Sequence, residues 1–418
     1  VGYEEALLSI LLALALSLSI GRLLEEFFIR IGFPPVLGDL LAGLLIGSSL
    51  LNIYPSGDAV EGFAWFGVTL LLFYAGLETR YGEFMKSARR AWLITLGEAA
   101  AAFSLGYITG MAFGYPPTYS VFLGAILEAT SVSITVRALI DMGKLRAVEG
   151  YTILGVAVLD DISALITIAA ATSFVILHRL DILTIVEAAG GALIFWIATV
   201  YIFHRFSNAI TRYSRKLHVN EPILGVLLAI FAIVATFSHN FGISPLIAAY
   251  AIGLAFSEAR GMAAVVDRVK SIAIIFSTVF FVNSAARLDI GAAIKPEYLT
   301  FYLAMIAAAF IGKILGAGVT SFAIGFPGFS ALRIAIGLYP RAEFCIIAAY
   351  TGVTLGVLDN KAYLAAVLVT LVTNLVTPPL LKVVFTRGPE SIVVKDRLGT
   401  LKKLIIGRKK HVARASRY

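Results

Sequence analysis

Runs of almost uninterrupted apolar residues recur from one end of this chain to the other, each near the roughly 20 residues that a helix needs to cross a bilayer. Inside hydrocarbon every backbone N–H and C=O must be satisfied by the protein, so only helices and closed barrels can span. Runs of this length, without apolar/polar alternation, leave the helix. The charge content agrees: 14% of the 418 residues are charged, against about a quarter in an ordinary soluble domain. The expected fold class is an all-α polytopic membrane protein. The apolar pattern gives about thirteen transmembrane helices, at roughly 4–22, 34–51, 59–78, 90–113, 116–140, 150–176, 183–206, 220–238, 244–258, 266–288, 297–324, 329–355 and 362–386. The second and ninth are short and rich in Gly and Pro.

The net charge of +8 would suit a nucleic-acid partner, but its placement argues for no nucleic acid. Lys and Arg crowd into alternate loops, the bias that orients membrane proteins. One set of loops holds Arg22, Arg30, Arg80, Lys86, Arg89, Arg90, Arg137, Lys144, Arg146, Arg205, Arg212, Arg215, Lys216, Arg260, Arg268 and Lys270, whereas the other holds Arg179, Arg287, Lys295 and Lys361. This pattern predicts an outside N-terminus and a cytoplasmic C-terminus. Residues 387–418 form a basic cytoplasmic tail. It reads as a solvated, orientation-setting end, with anionic lipid as the sharper alternative. The single cysteine, Cys345, excludes an internal disulfide.

An internal repeat runs through the chain. Gly32-Phe33-Pro34-Pro35-Val36-Leu37 recurs as Gly242-Ile243-Ser244-Pro245-Leu246-Ile247, and Gly43-Leu44 as Gly253-Leu254, at an offset of 210. The same offset sets Thr130 on Pro340, and Ala75-Gly76-Leu77 on Ala285-Ala286-Arg287. Seven spans separate the copies, so they face opposite ways. Inverted repeats with interrupted helices near the midplane mark transporters.

Charges inside spans cost about 2.5–3.5 kcal/mol each on insertion scales and are functional suspects. Asp160-Asp161 lies mid-way along the sixth span, Lys313 mid-way along the eleventh. Adjacent helical residues point about 100° apart, so one carboxylate can meet a cationic residue while the other meets water. A buried lysine needs a counter-ion or must shed its proton; Asp160 is the natural candidate. The bland alternatives are a structural contact for the acids and snorkelling for the lysine. The fifth span is broken by Glu128-Ala129-Thr130-Ser131-Val132-Ser133, whose hydroxyls can satisfy freed backbone groups or ligate a hard cation. The twelfth is broken by Tyr339-Pro340-Arg341-Ala342-Glu343. There Pro340 removes a helical bond, and Arg341 with Glu343 forms either a gate or a brace.

Together these residues resemble the cation:proton antiporter superfamily, nearest the NapA/NhaA-type sodium/proton antiporters. The resemblance rests on 32–47 (GFPPVLGDLLAGLLIG), 71–78 (LLFYAGLE), 129–135 (ATSVSIT), 158–162 (VLDDI), Gly312-Lys313 and Pro340-Arg341-Ala342-Glu343. It departs at Ala286, where the family has glycine, at Arg287, and at Glu128.

The resemblance implies an NhaA-like fold of inverted repeats with two crossing interrupted helices. Residues 1–386 would form the transmembrane antiporter domain. Core helices would fall at about 59–176 and 266–386, dimerisation helices at about 4–51 and 183–258. Asp161 would carry Na+ or a proton, Asp160 would pair with Lys313, and Thr130, Ser131 and Ser133 would help ligate the cation. The implied function is electrogenic Na+ (or Li+)/H+ exchange by an elevator-type homodimer in the plasma membrane, with no cofactor and no enzymatic chemistry. A K+/H+ antiporter of the same superfamily is the near alternative, a Na+-coupled organic-anion symporter the remote one. An intramembrane aspartyl protease would need two carboxylates facing one water, which adjacent acids do not supply.

Overall fold

The computed structural model describes residues 2–31, 33–177, 182–241, 244–287, 296–341 and 343–387. The tail from 388 onward, Arg179, Lys295, and Gly32 and Gly242-Ile243 of the repeat lie outside the described residues. Among the described residues every regular element is helical and no strand occurs. In chain order the helices are α1 (Tyr3–Arg30), α2 (Val36–Ile46), α3 (Asp58–Glu78), α4 (Tyr81–Ala112), α5 (Pro117–Glu128), α6 (Ser133–Asp141), α7 (Val148–Leu177), α8 (Ile182–Ser214), α9 (Pro222–Ser238), α10 (Pro245–Phe256), α11 (Ala263–Ala286), α12 (Pro296–Ala323), α13 (Gly328–Gly337), α14 (Glu343–Thr354) and α15 (Asn360–Thr386). Counting α5 and α6 as one span, eight among the described residues are long and apolar enough to cross a membrane, and five shorter apolar helices accompany them.

The apolar runs place the helices well but end some of them early. The run of span four begins near 90 and α4 begins at Tyr81; that of span seven stops near 206 and α8 continues to Ser214. Lys and Arg terminate an apolar run without terminating a helix, because both are good helix formers. Starts follow local chemistry. Pro117 occupies the first turn of α5, where its missing N–H costs nothing. Ser244 Oγ accepts from Leu246 N at the head of α10, and Asp359 Oδ1 accepts from Ala362 N at the head of α15. Arg137, counted above as a loop charge, lies within α6 and is 1% exposed.

Burial orders the helices from centre to rim. The α5–α6 span is 94% buried, whereas α1 is 17% buried along its apolar window. Leu7, Leu8, Leu11 and Leu12 of α1 and Ile194, Ile197 and Tyr201 of α8 stand exposed, as a lipid-facing surface requires.

The repeat is visible in the packing. α3 packs against both α10 and α11, and α2 packs against α11. A Cβ on Gly253 would collide with Phe73 O and Gly76, and one on Gly76 with Tyr250 O and Gly253. At the offset of 210, Gly43 replaces Gly253 and Ala286 replaces Gly76. A Cβ on Gly43 would collide with Val282 O and with Ala285 and Ala286. The α10–α3 and α2–α11 contacts are thus two copies of one close approach. At the departing position, Gly47 lies directly on the Ala286 backbone. Gly253→Val is expected to cost about 1–3 kcal/mol of stability, the scale typical of overpacking, read as a lowered unfolding midpoint in detergent; an unchanged midpoint would refute the close approach.

Candidate functional site

Two spans are broken, and the breaks meet. α5 ends at Glu128, the backbone turns extended at Ala129 (φ −53°, ψ 130°), and α6 starts at Ser133. α13 ends at Gly337 and α14 starts at Glu343. Ser131 N donates to Pro340 O at 2.8 Å, and Thr135 Oγ1 to Gly337 O at 2.7 Å. Backbone groups freed in one break are therefore satisfied by the other, as buried polar groups must be.

Arg341 holds the crossing together. It is fully buried, and its guanidinium donates to the carbonyls of Tyr339 (2.7 Å), Leu127 (2.8 Å) and Ala309 (3.2 Å). Its own N–H donates to Asn374 Oδ1 at 3.2 Å. Leu127 lies in the last turn of α5 and Tyr339 just beyond α13, where carbonyls carry the negative end of the helix dipole. The charge thus braces two helix ends. Glu343 begins α14, and its side chain lies outside the described residues.

Lys313 corrects the pairing expected from the sequence. It is fully buried on α12, and it makes its ion pair with Glu98 of α4, not with Asp160. It also donates to Glu128 O and to Thr130 Oγ1, each at 2.6 Å. The cause is a tight α4–α12 approach: Gly316 has no room for a Cβ against the backbone of Gly97 and Glu98. A π-helical turn over Ile314–Gly318 directly follows the lysine, a local distortion frequent at functional positions.

Asp160, 1% exposed, instead takes a backbone bond: Thr130 N donates to Asp160 Oδ2 at 2.8 Å, and Oδ1 has no hydrogen-bond donor. Thr130 is the hub, because its hydroxyl accepts from Lys313 and reaches Glu98 Oε1 at 3.4 Å. Asp161, next on α7, is half-buried where Asp160 is sealed. Ser131 and Ser133 are buried with hydroxyls 3.2 Å apart. Glu128 is buried facing α7, where Ser163 Oγ donates to its carboxylate at 2.6 Å. The structure thus brings the segments marked in the sequence together, and adds Glu98, which the sequence reading did not name.

A cavity of about 500 Å³ leads toward this crossing between α2, α3 and α11 on one side and α6, α14 and α15 on the other. Ser133 and Asn374 line it, as do Glu61 and Arg287, which form a part-exposed ion pair at 2.7 Å. Carboxylate, hydroxyl and carbonyl oxygens around a helix break form an environment for a hard cation.

Comparison with known proteins agrees with this architecture. The family described as "Sodium/hydrogen exchanger, transmembrane" matches residues 14–387. The probable Na(+)/H(+) antiporter GerT of Bacillus cereus is 33% identical over 87% of this chain and 96% of its own length. The Na(+)/H(+)-K(+) antiporter GerN of the same organism is 33% identical over 89% and 95%. The solved sodium proton antiporter MjNhaP1 of Methanocaldococcus jannaschii superposes with a TM-score of 0.65 at 17% identity, over 92% of this chain and all of that one. Its likeness shows the fold. With a family match along most of its length and two relatives covered almost end to end, this multi-pass membrane protein belongs to the sodium/hydrogen exchanger family.

Proposed function

We propose that the protein is a secondary active antiporter, not an enzyme, that exchanges Na+ (or Li+) for H+ across the plasma membrane. The observation that carries this reading is the Asp160-Asp161 pair set beside the crossed breaks, with Thr130 N on the Asp160 carboxylate. Asp161 is the carrier, and Asp160, Thr130, Ser131 and Ser133 complete the cation's oxygen environment. Sodium and protons compete for the same carboxylates. A protonated or cation-loaded site can cross the barrier; an empty, doubly charged one cannot do so cheaply. That condition couples the two fluxes.

Because Glu98 balances Lys313, Asp160 is free to give up a proton alongside Asp161. Two protons then leave for one cation, and exchange is electrogenic. The reading takes thirteen spans in two inverted repeats, an outside N-terminus and a cytoplasmic tail. The helices at about 59–176 and 266–386 move as an elevator against those at about 4–51 and 183–258, in a homodimer. In this orientation the Glu61–Arg287 cavity opens outward. The reciprocal α10–α3 and α2–α11 contacts support the repeat. A second reading, K+/H+ exchange, is favoured by the likeness to GerN, a Na(+)/H(+)-K(+) antiporter.

The test is reconstitution in liposomes with an imposed pH gradient, reading a pH-sensitive dye on addition of Na+, Li+ or K+. Proton release with Na+ and Li+ supports the first reading, and release with K+ the second. Silence with all three, from folded protein, refutes both and leaves an organic-anion symporter to be tried.

A further inference from the structure

A second buried group of charges lies away from the crossing, between α1, α2, α6 and α11. Three carboxylates meet two guanidinium groups there. Arg22 Nη1 donates to Glu25 Oε2 at 2.6 Å. Arg137 Nη2 donates to Glu25 Oε1 at 3.1 Å, its Nε to Asp141 Oδ1 at 3.1 Å, and its Nη1 to Ser277 Oγ at 2.9 Å and Ile274 O at 3.3 Å. Glu25 is 4% exposed and Arg137 1%.

The third carboxylate is the anomaly. Asp39 of α2 is 0% exposed, and neither of its oxygens receives a hydrogen bond. It faces the π-helical turn of α1 at Ser17–Gly21. Gly21 leaves it room, since a Cβ there would stand 3.1 Å from Asp39 Oδ1. Glu25 is its close neighbour, because the preceding Gly38 packs so tightly on α1 that a Cβ there would collide with the backbone of Leu24 and Glu25. Two ionised carboxylates are both acceptors, so no bond can join them until one carries a proton.

The charges facing Asp39 are few. α1 supplies Arg22 and Glu25, and α6 supplies Arg137, whose guanidinium also binds Asp141. α11 supplies the Ser277 hydroxyl and the Ile274 carbonyl that bind Arg137, and Thr278, which packs beside Gly21. From α15, which also touches α2, Lys382 sits over the Phe33 ring. Three carboxylates against two guanidinium groups leave one net negative charge; Arg22 reaches solvent, but Asp39 and Glu25 are sealed, where an uncompensated charge is expensive. One proton makes the cluster neutral and supplies the missing bond at once.

We propose that Glu25 and Asp39 share one proton, forming a protonatable site separate from Asp160-Asp161, and that Arg137 ties this site to the broken span. The tie runs through α6, whose first residue is Ser133 and whose Arg137 is bonded to α1 and α11 together. While the shared proton is in place, the cluster is neutral and Arg137 holds α6 to both neighbours. When the proton leaves, Asp39 competes with Asp141 and Glu25 for the same guanidinium, and that link is redistributed. The consequence for the pH dependence of exchange rests on the function proposed above; the site itself does not.

The test is infrared difference spectroscopy of the reconstituted full chain across a pH titration, without cation or gradient, following the C=O stretch of protonated carboxyl groups. A band from the carboxyl shared by Glu25 and Asp39 is expected in the unaltered protein at neutral pH, beside those of Asp160 and Asp161. It should be lost in Asp39→Asn and in Glu25→Gln, and kept in Asp161→Asn. Glu25→Gln serves alone should Asp39→Asn not fold. Liposome exchange by Asp39→Asn should persist, with its alkaline limb moved by about one pH unit or more. A spectrum in which no band responds to either substitution overturns the proposal. So does a wild-type cluster that shows no protonated carboxyl and binds a monovalent cation instead. Because the band is read without transport, loss of exchange activity elsewhere leaves this result interpretable.

Discussion

Asp161→Asn is expected to reduce cation-driven proton release from liposomes to that of empty vesicles, while the protein stays folded. An amide has nearly the shape of the carboxylate, so packing survives. It has neither a charge to hold a monovalent cation out of water nor a proton to exchange. Asp160 cannot stand in, because it is sealed at 1% exposure and bonded to Thr130 N, whereas Asp161 is half-buried. The measurement is dye-reported proton release at saturating cation, with thermal unfolding as the control for folding. Exchange at the wild-type rate would end the scheme. Asp160→Asn should behave differently: exchange persists with weaker cation affinity and with fewer protons per cation, read as a changed dependence on membrane potential.

Glu98→Gln is expected to be the most destabilising single polar change in the site, at about 3–5 kcal/mol, the usual cost of leaving one member of a buried ion pair uncompensated. Lys313 is fully buried and would keep only the Glu128 carbonyl and the Thr130 hydroxyl. Adding Lys313→Met to Glu98→Gln should recover much of the loss, since a neutral pair of similar volume avoids the stranded charge. Recovery stays incomplete because Glu128 O and Thr130 Oγ1 lose a donor. Unfolding midpoints of the single and double variants, compared with Asp160→Asn, read this directly. If Asp160→Asn were as costly as Glu98→Gln, the lysine would belong to Asp160 after all.

The sequence revealed those features that are written locally. Apolar runs located the helices, and two polar interruptions located the breaks at 129–132 and 338–342. An adjacent acid pair and a lone lysine in apolar surroundings marked residues that meet at the crossing of the breaks. Glu98 was missed although it lies inside the fourth span: Leu96-Gly97-Glu98-Ala99 interrupts no helix, and a single acid there forms neither an adjacent pair nor a break. The choice of partner for Lys313 depends on how closely two distant helices approach, which Gly97 and Gly316 decide in space and no one-dimensional period encodes. Arg137 failed for the opposite reason. Its place at the end of an apolar run looked like a loop, and only the carboxylates of α1 and α6 reveal that it is buried.

The two copies of the glycine contact invite a last deduction. A perfectly twofold molecule would have no reason to rest open toward one side of the membrane: the inward and outward conformers would be mirror tasks of equal free energy. In this chain one copy meets as Gly76 on Gly253, and the other as Ala286 on Gly43, with Gly47 pressed on the same backbone. One close approach of the pair thus carries a methyl group that its twin lacks. Under the alternating access proposed above, such an inequality between twins would bias the ratio of inward- and outward-open states, and with it the side on which an idle carrier waits for its passenger.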